Sequence, residues 1–143
     1  MLIQNIEAFV HQLRERGGCP LPGRPESEIR KVFASLGQEA SADVIQLYTH
    51  LDGLEEMEAG VLWQMWPLAH VKAENIVPSP HGVLFSDHFM DSWRYRLRWE
   101  SGSRSSIHVD HCDPGREPVQ LFASLNGFVD AYLSNPDLII GAG

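Results

Sequence analysis

Apolar and polar residues alternate most regularly in the second half of the chain. Trp93, Tyr95, Leu97 and Trp99 are interleaved with Arg94, Arg96, Arg98 and Glu100. This period of two predicts a half-buried strand with one apolar and one polar face. Ser101-Gly102-Ser103 supplies turn chemistry, and Ile107 and Val109 then resume the alternation with His108 and Asp110 opposite. The pair reads as an antiparallel hairpin. Val83-Leu84-Phe85 predicts a third strand beside it, Val61 to Trp66 a first strand and Val119 to Phe122 a short edge strand.

Elsewhere the spacing is helical. Ile6, Phe9, Val10 and Leu13 recur at i, i+3, i+4 and i+7 within residues 2–16, and Gly17-Gly18 ends that helix. The prolines at 20, 22 and 25 make Cys19 to Gly23 a connector. A second helix runs from Pro25 to Leu36, with Ile29, Val32, Phe33 and Leu36 as its stripe. A third starts at the N-cap Ser41 and is closed by Asp52-Gly53. Leu68 to Asn75 is read as one helical turn, Ser124 caps a last helix ended by Asn135-Pro136, and Asp137 to Gly143 is read as a tail. Helices and strands are segregated along the chain. The expected fold is therefore α+β: a mainly antiparallel sheet of about four to six strands, flanked by N-terminal helices and one C-terminal helix, in a single domain spanning 1–143.

Composition narrows the function classes. With 143 residues, 43% hydrophobic and 21% charged, the chain has ample material for a core without a metal or disulfide framework. Cys19 and Cys112 are read as free thiols. No apolar run reaches the roughly 20 residues of a membrane span. The N-terminal stretch lacks the pattern of a signal peptide, so a cytoplasmic protein with no membrane partner is expected. A net charge of −8 argues against a nucleic-acid partner and suits either simple solubility or a basic protein partner.

Four carboxylates, Asp52, Glu55, Glu56 and Glu58, fall within seven residues in a loop. They read as a solvated surface or as a docking patch for a basic partner. His108, Asp110 and His111 are of metal-ligand type. On a strand, however, His111 points away from the other two, and His81, His88 or Asp87 would have to complete a site. Neither HExxH nor CxxC occurs, so no metal or other cofactor is assigned. Ser86-Asp87-His88 and Asp91-Ser92 read as a bonded turn rather than a catalytic set, and no GxSxG, P-loop or GxGxxG motif is present. Arg94, Arg96 and Arg98 are expected to pair with acids across the sheet. The four tryptophans are expected to pack, and one left exposed would be a candidate interface anchor.

The order of these pieces resembles the SUKH superfamily, which includes the Smi–Knr cell-wall-assembly regulators and many small bacterial proteins. The resemblance rests on the helix and glycine turn Ala42 to Gly53, the aromatic strand and following segment Trp63 to Leu68, the central hairpin, and the closing helix Ala123 to Leu133. It covers nearly the whole chain, through loose motifs. One departure is the stretch Ser86 to Ser92, which has no glycine where the family carries a glycine- and aspartate-rich turn. The resemblance implies a non-catalytic binding module. Bacterial members are often immunity proteins that neutralise a cognate toxin, commonly a nuclease. On that reading Asp52, Glu55, Glu56, Glu58, Asp87 and Asp91 are the candidate contacts for a basic toxin. The alternatives are a Smi–Knr-type regulatory scaffold and a metal-dependent enzyme using the run His108 to Asp113.

Overall fold

A computed structural model describes residues 2–140. The elements in chain order are α1 (Ile6–Glu15), β1 (Pro20–Pro22), α2 (Glu26–Ser35), α3 (Ala42–His50), β2 (Leu51–Leu54), β3 (Trp63–Met65), α4 (Leu68–Glu74), β4 (Val83–His88), β5 (Trp93–Trp99), β6 (Ser105–Asp110), β7 (Val119–Phe122) and α5 (Leu125–Ser134). A 3-10 turn follows at Pro136–Ile139. Strands β3 to β7 form one sheet in sequential order, each pair antiparallel. The fold is α+β with a mainly antiparallel sheet.

The alternation in β5 sets the two faces. Tyr95 and Leu97 are buried on one face, opposite Val109 and Ile107 of β6. Trp63, Phe9, Phe85, Phe128 and Tyr132 close over this face, with the Phe9 and Tyr132 rings edge to face at 5.3 Å and the Trp63 and Phe128 rings 5.3 Å apart. Such edge-on contacts suit the ring quadrupoles and add to the burial that drives folding. Helix α1 delivers Phe9 and helix α5 delivers Phe128 and Tyr132, from apolar stripes spaced as the sequence predicts, while Trp63 and Phe85 stand on β3 and β4.

Four local readings change. The connector at Cys19 to Gly23 contains β1, which pairs with β2 to form a second, two-stranded sheet. Proline lacks an N–H, so this short ladder is confined to an edge. Asp52-Gly53 does not close the third helix, which ends at His50. The pair lies in β2, and Gly53, at φ +71°, has no room for a Cβ, which would lie 2.5 Å from the Trp66 carbonyl carbon. Strand β4 runs through Ser86-Asp87-His88, and the turn lies after it. The tail folds back as far as Ile139, which is fully buried and accepts the Tyr95 hydroxyl hydrogen bond at 2.7 Å, while residues 141–143 lie outside the described part.

Candidate protein-docking surface

The backbone is strained at one end of the five-stranded sheet. Among the described residues, those other than glycine with positive φ are Leu62 (+62°), Phe89 (+48°), Met90 (+50°), Asp91 (+69°) and Cys112 (+55°). The register brings them together. Leu62 precedes β3, residues 89–91 link β4 to β5, Cys112 follows β6, and His88 pairs with both Trp63 and Trp93. Phe89, Met90 and Asp91 form a single left-handed turn, with the Ser92 N–H donating to the His88 carbonyl at 3.0 Å. Left-handed backbone costs an L-residue about 1–2 kcal/mol, and successive residues rarely adopt it. Such outliers persist where the surroundings hold them, and they cluster at binding and catalytic sites.

The turn holds two large apolar side chains in water. Phe89 is 46% exposed and Met90 72%. Beside them the His88 ring stacks on Trp93 at 4.5 Å, and the His111 and Trp93 rings meet edge to face at 5.5 Å. Asp91 is exposed and paired to Arg94 at 3.2 Å. The acidic segment Glu55 to Gly60 leads directly into Leu62, whose carbonyl accepts the Phe89 N–H at 2.8 Å.

The candidate carboxylates divide by role. Glu55 and Glu56 are exposed, like Asp91. Glu58 is fully buried: it accepts the N–H groups of Gly60, Val61 and Trp63 at 2.7, 2.8 and 3.3 Å and so shapes the loop from inside. Asp52 accepts the Leu68 N–H at 2.7 Å and caps the start of α4 from a neighbouring strand. Asp87 lies on the polar face of the sheet, accepting the Trp66 indole N–H at 3.1 Å. Burial lifts its carboxyl to about 6, the Trp66 bond opposes that shift, and Asp91 adds to it. Three of the six are therefore committed inside the fold. Nothing in the sequence marks Glu58 off from Glu56, because its partners are main-chain groups of its own loop.

The polar face of the sheet is internally paired. Arg96 bonds Asp110 at 2.6 Å and the Gly82 carbonyl at 2.7 Å, Arg98 bonds Glu100 at 2.8 Å, and Arg94 lies over the Trp66 ring while meeting Glu74 and Asp91. Burial pushes Asp110 up, but the Arg96 bond and the Cys112 N–H outweigh it and hold the carboxyl below its ordinary value. His108 bonds Ser106 at 2.8 Å, and burial, with Arg98 nearby, lowers its pKa. His111 turns away to Trp93, so the run His108 to Asp113 does not converge. Among the described residues no group of three or more His, Cys, Asp or Glu is placed to hold a metal ion. Strand alternation also separates Asp87 from Ser86 and His88, which share the opposite face. Cys19 and Cys112 are free.

Of the tryptophans, Trp63 and Trp66 are buried, Trp93 is half-buried and Trp99 is 41% exposed. Among the described residues no helix is long and apolar enough to cross a membrane. No protein-family model matches the sequence, and no curated protein matches it.

Proposed function

We propose that this chain is a non-catalytic protein-binding module, an immunity protein that binds and neutralises a cognate basic toxin. The observation that carries the reading is the strained, glycine-free turn at Phe89–Asp91, which presents Phe89 and Met90 to solvent. A glycine there would relieve the backbone, whereas the residues present keep two apolar anchors outside the core. Aromatic and methionine side chains are enriched at interface centres, with polar groups at the rim. Glu55, Glu56 and Asp91 supply acidic groups around this end, and the net charge of −8 steers a basic partner toward it. The order of elements, which resembles the SUKH superfamily, supports the same reading.

The test is rescue of growth. Proteins encoded immediately beside this chain are expressed one at a time in a bacterial host, with and without it. The expected result is that one of them arrests growth, that co-expression restores it, and that Phe89→Ser with Met90→Ser abolishes the protection. Arrest that co-expression leaves unchanged contradicts the reading.

A further inference from the structure

The opposite end of the sheet carries a second feature. Trp99 ends β5 beyond the pair Val83 and Leu97, whereas Phe89 lies past the pair His88 and Trp93. There a cleft of about 520 Å³ opens between α2, the start of α3 and the β5–β6 tip. That volume falls within the range of ligand pockets. Its apolar lining includes Ile45, Ala40 and the indole of Trp99, and its polar lining includes Gln38 and Glu39.

The walls are fixed in advance. The Ala42 N–H donates to the Gly102 carbonyl at 2.8 Å, and the Ser105 N–H donates to the buried Asp43 carboxylate at 3.2 Å. These bonds hold the hairpin tip against α3, so a ligand would not have to order it. The charges are unequal. Glu26 is already paired with Arg30 at 2.8 Å, whereas the exposed Glu39 carboxylate has no ion-pair or hydrogen-bond partner among the described residues. An exposed tryptophan and an unpaired carboxylate lining one cleft are the two groups that recognise an organic cation.

The surroundings favour a cation carried on a polypeptide. Gln38 also lines a shallow dent beside Val77, and Ile76 and Val77 are 82% and 80% exposed. We propose that the Trp99 cleft receives an arginine or lysine side chain of a partner protein segment, a neighbouring apolar residue of which lies on Ile76 and Val77. The site is separate from the Phe89 end and stands whether or not that end binds a toxin.

The probe is the peptide acetyl-Gly-Arg-Gly-Leu-Gly-amide, titrated into the 15N-labelled protein. The Trp99 indole resonance is assigned by its loss in Trp99→Phe. Saturable shifts are expected at the Trp99 indole and the Gln38 and Glu39 amides. They are expected to vanish when citrulline replaces arginine, and binding should weaken about tenfold or more in Trp99→Ala and several-fold in Glu39→Gln. Glu39 is exposed, so the second variant keeps the test decisive if the first disturbs packing. Equal shifts from the citrulline peptide, unsaturable shifts spread over all acidic surfaces, or unchanged affinity in both variants would overturn the proposal. Tetramethylammonium binding as tightly as the peptide would overturn it too, since the cleft would then be a small-cation site.

Discussion

The Phe89 N–H donates to the Leu62 carbonyl at 2.8 Å, joining two residues that both hold left-handed backbone. The bond ties the end of the acidic loop to the turn that displays Phe89 and Met90. Strain at each residue is thus braced by the other, and the two segments form one surface rather than two loose loops.

Replacing Met90 with glycine separates stability from binding. Glycine takes φ +50° without steric cost, which removes about 1–2 kcal/mol of strain. Its greater freedom in the unfolded chain takes back about 0.4–1 kcal/mol. Met90→Gly is therefore expected to unfold at higher urea with unchanged slope, with a gain of up to roughly 1.5 kcal/mol. A clear loss of stability would show that the methionine side chain supports the fold rather than a partner.

Glu58 and Glu56 lie two positions apart and should respond very differently. Glu58→Ala strips acceptors from buried N–H groups at Val61 and Trp63. Each unsatisfied buried group costs about 1–3 kcal/mol, so a loss of several kcal/mol is expected in urea unfolding. Glu56→Ala is expected to stay within about 0.5 kcal/mol of wild type. Equal effects would contradict the division of the loop into a buried brace and an exposed rim.

Asp43 ties α3 to the hairpin across the sequence. Its carboxylate accepts the Ser41 hydroxyl at 2.6 Å and the N–H of Ser105, and Ser41 and Ser105 share a further bond at 2.6 Å. Asp43→Ala is expected to cost about 2–3 kcal/mol. It should also speed hydrogen exchange at Ala42 and Ser105 ahead of the central strands. Exchange that rises uniformly across the sheet would show only global destabilisation.

Asp87 predicts a pH slope. In the unfolded chain its carboxyl titrates near 3.8, and in the folded protein burial raises it to about 6. Between these values the folded state keeps a proton that the unfolded state has released. This contribution therefore falls as pH rises through the window and levels off above it. Asp87→Asn keeps an acceptor for the Trp66 indole and removes the titration. The variant should show a flatter stability profile from pH 4 to 6.5 and a gain of up to roughly 2–3 kcal/mol at pH 7.5. An unchanged slope would show that Asp87 does not titrate in this window.

What the sequence makes legible follows from the range of the interactions. Alternation from Trp93 to Glu100 defines β5 because each side chain reports its own face. Arg96 finds Asp110 across the sheet as expected, whereas Arg98 pairs with Glu100 of its own segment and Arg94 with Glu74 and Asp91. The β1–β2 ladder is not legible, because a three-residue strand containing Pro20 and Pro22 carries no local strand pattern. The burial of Ile139 is likewise hidden, since it depends on Tyr95, 44 positions away. The candidate docking end is half legible: the missing glycine in Ser86 to Ser92 is visible in the sequence, but the positive φ angles that make it matter are not.

The most direct test of the central claim is calorimetric titration of this protein with a protein encoded beside it that arrests growth in the rescue experiment. Wild type is expected to bind with submicromolar affinity. Met90→Gly is expected to remain folded and bind at least about tenfold more weakly, with lower affinity for both proteins as salt rises. Affinity in Met90→Gly equal to that of wild type would contradict the account, because the strained turn would then not be the surface that meets the partner.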